Sequence, residues 1–90
     1  MSGETSNYQV RAVSRALSIL TAFTPERPVY NLTELSQSLG LHKSTILRLL
    51  SCLQSEGFVE RTKDSYKLGA KAFELGSTYY VTHLSVAQIG

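Results

Sequence analysis

Between Lys43 and Glu56 the chain sets Ser44, Arg48, Ser51 and Ser55 at steps of four, three and four residues. On a helix turning about 100° per residue these four share one side. Hydroxyls bond to phosphate oxygens, and a guanidinium forks onto the O6 and N7 of guanine, a contact that discriminates against a wrong base by roughly 1–3 kcal/mol. No carboxylate interrupts the stripe before Glu56, and Lys43 falls in the first turn, where a helix N-terminus already favours anions. The chemistry open to such a face is binding to phosphates and base edges. An ordinary solvated face also carries serines and an arginine, so the flanking elements must decide.

The side opposite the stripe holds Ile46 with Leu47, Leu49, Leu50 and Leu53, which predicts a packed face. Upstream, Thr33 suits an N-cap, Glu34 sits where the dipole favours negative charge, and Leu35 and Leu39 share a face. Gly40 is the expected left-handed stop, Leu41 plugs the corner, His42 and Lys43 open the second helix, and Gly57 closes it. Helix, tight turn, helix is the outline of a major-groove reader.

Before this pair, Val10, Val13, Ala16, Leu17, Leu20 and Phe23 recur at helical spacing, with Ala12 and Ile19 widening the apolar arc to about half the wheel. Deep burial, against as many as two partners, is expected. The polar side carries Arg11 and Arg15, read either as solvated charges or as contacts to phosphate or to a second copy. TPERP ends the helix through Pro25 and Pro28, and Val29 to Leu32 suit a short strand. After Gly57, two strands carrying Phe58, Val59 and Arg61, then Tyr66 and Leu68, flank the turn TKDS. This hairpin reads as a wing in which Arg61, Lys63 and Lys67 oppose Glu60 and Asp64, placed to lie on the duplex backbone or in the minor groove. A last helix is expected in AKAFELGSTYYVTHL, where Gly76 marks a close approach and Tyr79 and Tyr80 want a partner surface. The closing SVAQIG reads as the start of another element.

Composition bounds these readings. Ninety residues, 42% hydrophobic with two prolines, make one folded domain with a modest core. A net charge of +2 requires a nucleic-acid binder to concentrate its cations locally. The single Cys52 forms no internal disulfide and reads as a packed or half-exposed small residue rather than a redox sensor. The polar start MSGETSNYQ has no secretory h-region, and no apolar run spans a bilayer, so the expected compartment is cytoplasmic. His42 and His83 lack neighbours at metal spacing, Asn31-Leu32-Thr33 is a sequon that a cytoplasmic chain never uses, and no phosphate loop, nucleophile elbow or carboxylate pair is present. No enzyme, cofactor or metal site is expected.

The segments RAVSRALSIL, LTELSQSLGLHKSTILRLLSCLQSEGFVER and YKLGAKAFELG together resemble the N-terminal domain of the isocitrate lyase regulator (IclR) family of bacterial transcription factors, from about Val10 to Leu84. The resemblance implies a mostly α fold with a small β-hairpin, a winged helix-turn-helix followed by a linker helix. Its divisions are a flexible lead over 1–9, the DNA-binding domain over 10–69, and a linker helix with the start of an effector domain over 70–90. It implies a palindromic promoter site in double-stranded DNA, a homodimer or tetramer, most often repression, and a small-molecule effector bound only by a C-terminal domain. Within the segment Thr33 to Cys52 the candidate DNA contacts are then His42, Lys43, Ser44, Thr45, Arg48 and Ser51, with Arg61, Lys63 and Lys67 on the wing. His42 stands where many members have proline, which bears on base preference at the start of the helix. The competing reading is a winged helix used only for protein association, which calls for apolar anchors on the exposed face.

Overall fold

The computed structural model describes the backbone of residues 3–89 and the side-chain surroundings of residues 9–84. Four helices and three short strands follow one another as α1 (Gly3–Ala22), β1 (Tyr30–Asn31), α2 (Leu32–Leu39), α3 (Lys43–Ser55), β2 (Val59–Thr62), β3 (Ser65–Leu68) and α4 (Ala70–Ile89). Of the expected lead, residues 1 and 2 lie outside the described residues, and from Gly3 onward the backbone is already helical. SVAQIG opens no new element as far as Ile89, because α4 runs on without a break, and Gly90 lies outside the described residues.

The α1 helix stops ahead of Pro25. Thr24 and Arg27 then exchange backbone hydrogen bonds at 3.0 and 3.2 Å, and the Thr24 hydroxyl accepts a further one from the Arg27 N–H. This turn delivers Tyr30 to the core, where its ring meets Phe23 edge-on at 5.4 Å and the Arg27 guanidinium covers it at 4.2 Å. Strand β1 pairs antiparallel with β3, Tyr30 opposite Tyr66, so the expected hairpin is one part of a three-stranded sheet of order β1-β3-β2.

Asn31, not Thr33, caps α2. Its side-chain oxygen accepts the Glu34 N–H at 2.8 Å, and the Glu34 carboxylate accepts the Asn31 N–H at the same distance, a reciprocal box that satisfies two otherwise orphaned donors. Thr33 is exposed. Replacing Asn31 by alanine is expected to lower the unfolding free energy by about 1 kcal/mol in a denaturant titration, with Thr33→Ala close to neutral. At the other end Gly40 adopts φ +69°, and its N–H donates to the Ser36 carbonyl at 2.9 Å. That left-handed residue turns the chain from α2 into α3.

Ile19, Phe23, Tyr30, Leu35, Ile46, Leu50, Leu53, Val59 and Tyr66 form the core. Each of α1, α2 and α3 and every strand thus gives at least one buried side chain, and α3, in the middle, gives three. Two expectations about packing change. Of the apolar arc on α1, Ala16, Ile19, Leu20 and Ala22 pack into or against the core, with Phe23 just past the helix, while Val10, Val13 and Leu17 stay exposed. On α3, Leu47 is exposed instead of packed. The α4 helix barely touches the body and leaves Phe73, Leu75, Tyr79 and Tyr80 open, and a Cβ on Gly76 would meet nothing within 4 Å, so the expected close approach to this glycine is absent among the described residues. Among the described residues no helix is long and apolar enough to cross a membrane.

Candidate nucleic-acid interface

Burying Ile46, Leu50 and Leu53 against the core fixes the rotation of α3 and turns Ser44, Arg48, Ser51 and Ser55 to the surface. Lys43 and His42 are exposed at its start, where the His42 side chain makes no capping bond. The Ser55 hydroxyl is spent on the Cys52 carbonyl at 2.8 Å, whereas Ser44 and Ser51 have no such partner among the described residues. Cys52 is exposed beside them, more open than its size and sequence position suggest.

The fold adds what the sequence does not place. Arg11 and Arg15, one turn apart on α1, come together with Thr45, Arg48 and Leu49 of α3 around a cleft of about 270 Å³. None of the three arginines has a carboxylate within ion-pair distance among the described residues, whose ion pairs are Arg27 with Glu34, Lys67 with Glu60, and Lys71 with Glu74. Three arginines lining one cleft with no counter-charge among the described residues raise the local positive potential. Such a place suits an anion that accepts several N–H donors, as a phosphate does.

The wing cations are dispersed by the register. Glu60 stands opposite Lys67 and Arg61 opposite Tyr66, which puts Lys67 and Arg61 on opposite faces of the sheet. Lys67 Nζ lies 4.0 Å from Glu60 Oε1, a surface pair. Arg61 donates from Nε to the Lys63 carbonyl at 2.9 Å, and its guanidinium lies 5.9 Å from the Tyr66 ring. Lys63 occupies the two-residue turn with φ +57°, which projects an exposed ammonium from the tip. Arg61 and Lys63 are thus coupled at the end of the hairpin, and Lys67 is set apart from them.

Two short helices joined at a left-handed glycine, packed on a third and followed by a β-hairpin, define a winged helix-turn-helix domain. The profile of the IclR helix-turn-helix domain matches residues 12–63. Over 73 residues the chain is 37% identical to the transcriptional repressor IclR of Escherichia coli (strain K12), covering 79% of this chain and 27% of that protein. Over 69 residues it is 36% identical to the HTH-type transcriptional regulator XynR of the same strain, covering 74% of this chain and 27% of the relative. The crystal structure of an IclR transcriptional regulator from Silicibacter sp. TM1040 superposes with a TM-score of 0.73 at 38% identity, over 79% of this chain and 28% of that one. The chain belongs to the IclR family of transcriptional regulators. It spans little more than a quarter of the length of these relatives.

Proposed function

We propose that this chain is the sequence-specific DNA-binding part of a cytoplasmic, effector-controlled regulator, a repressor in its basal state. A homodimer places α3 of each copy in successive major grooves of a palindromic site, one helical turn or a multiple of it apart. Lys43, Ser44, Thr45, Arg48 and Ser51 meet the groove and its edges, with His42 at the start of the helix. Lys63, backed by Arg61, reaches the neighbouring backbone from the wing, and Lys67, paired with Glu60, contributes less. The observation that carries the reading is the arginine cleft, without a carboxylate partner among the described residues, along a helix face free of carboxylates. A surface used only for protein association would instead concentrate apolar or aromatic anchors there. Such anchors lie elsewhere, as Val10, Val13 and Leu17 on α1 and as Phe73, Tyr79 and Tyr80 on α4, and these faces fit the second copy. Effector control belongs to the remainder of a regulator of the relatives' length.

Arg11 and Arg15 take one backbone phosphate or two adjacent ones beside the groove. Binding of the 90-residue chain to duplex DNA is therefore expected to weaken steeply with salt, by about 0.9 in the log–log slope per neutralised phosphate. The double variant Arg11→Gln/Arg15→Gln is expected to flatten that slope by about 1 to 2 per half-site and to weaken cognate and random duplexes alike. Wild-type affinity that does not change with salt, or equal affinity for selected and random duplexes, would leave protein association as the function.

A further inference from the structure

Leu47 is the one large apolar side chain on α3 left open among the described residues, at 43% exposure. It lies three residues after Ser44 and four before Ser51, both exposed, so an isobutyl group stands about 4.5 Å along the axis from one hydroxyl position and about 6 Å from the other. The other exposed apolar groups of the helices are gathered on α1 and α4; Leu47 belongs to neither set. Its exposed neighbours on α3 are Lys43, Ser44 and Ser51, one turn away, and the adjoining Arg48.

In the major groove, base edges present hydrogen-bond donors and acceptors and a single kind of apolar group, the C5-methyl of thymine. An isobutyl group carried into the groove by α3 gains contact only against that methyl. Against guanine or cytosine it strips water from polar edges and returns no hydrogen bond. Resting on the reading that α3 enters the groove, the geometry points to Leu47 as a specificity-determining residue that selects thymine by its methyl group, beside the position read by Arg48. The preference is set by attraction to one base and by a desolvation penalty on the others.

The test uses the 90-residue chain and two random duplex libraries, one synthesised with thymidine and the other with deoxyuridine, which lacks the methyl. In the thymidine library one A·T position per half-site is expected to be enriched; in the deoxyuridine library that preference disappears while the other enriched positions remain. On a selected duplex, exchanging that thymine for uracil in both half-sites is expected to weaken the wild type about fifteen-fold, or about four-fold per methyl, the effect of roughly 0.8 kcal/mol for each buried methyl. Leu47→Ala, folded as judged by an unchanged melting temperature, is expected to bind thymine and uracil duplexes equally. A thymine preference that survives in the deoxyuridine library, no uracil effect on the wild type, or the same uracil effect in Leu47→Ala would overturn the assignment and leave DNA binding by α3 intact. Failure of both libraries to enrich any sequence would remove the DNA-binding reading itself, and Leu47 with it.

Discussion

Gly69→Ala is expected to lower the unfolding free energy by about 3 kcal/mol, a large share of the total stability of so small a domain. Gly69 is buried where β3 gives way to α4, and a Cβ built on it would lie 2.5 Å from the Gly57 carbonyl oxygen and 3.2 Å from the carbonyl carbons of Gly57 and Phe58. All three are backbone atoms, so no side chain can rotate aside. The same contact carries two hydrogen bonds, from the Gly69 N–H to the Phe58 carbonyl at 2.8 Å and from the Lys71 N–H to the Gly57 carbonyl at 3.0 Å. Relief of the clash must lengthen one or both. Overpacking of roughly 1–3 kcal/mol and about 1 kcal/mol per weakened bond give the magnitude. Urea titration followed by circular dichroism is expected to show a lower midpoint with an unchanged slope. A midpoint equal to that of the wild type would mean that this junction yields freely. The clasp also sets where α4 leaves the body, so a destabilised junction is expected to weaken any assembly through α4 before α3 itself unfolds.

The junction illustrates which parts of the molecule local sequence can specify. The pair α2 and α3, the stop at Gly40 and the hairpin after Gly57 are legible because their signals lie within a few residues: apolar spacing, a glycine in the left-handed region, alternation across a turn. The capping box is missed although Asn31 and Glu34 stand three residues apart, because Thr33, two residues further in, offers an equally plausible cap. What stays illegible depends on distant residues. Periodicity shows that α1 has a wide apolar arc but not that Ala16, Ile19, Leu20 and Ala22 reach the core while Val10, Val13 and Leu17 stay uncovered. For the same reason Leu47, on the margin of the leucine side of α3, reads as core and stands outside it. Pairing of β1 with β3 joins residues more than thirty positions apart, Tyr30 with Tyr66. The arginine cleft likewise needs α1 laid along α3, which brings Arg11 and Arg15 to Arg48 although neither helix announces it. On the wing, only the register reveals that Lys67 faces Glu60 and that Arg61 lies on the other side.

Arg48→Ala is expected to weaken binding to a selected duplex by about five- to 150-fold per half-site, equivalent to 1–3 kcal/mol for each contact, and to relax base choice at one position per half-site. Arg48 is exposed, has no carboxylate partner among the described residues and stands where the outward face of α3 meets the cleft shared with α1. From that margin its guanidinium can turn to a guanine edge or join Arg11 and Arg15 on a phosphate, and the lysine variant separates the two. A guanine contact depends on the planar fork that sets two parallel N–H donors against O6 and N7, which a lysine ammonium does not reproduce. A phosphate contact depends mainly on charge, which lysine retains. If Arg48 reads a base, Arg48→Lys is expected to keep the wild-type salt slope while losing the guanine preference, so that selected and mutated duplexes are bound more nearly alike. If Arg48 only supplements the cleft, Arg48→Lys restores both affinity and selectivity, and Arg48→Ala flattens the salt slope as the Arg11 and Arg15 substitutions do. Because the side chain lies outside the core, all three proteins are expected to melt together, which assigns any loss of binding to the contact and not to the fold.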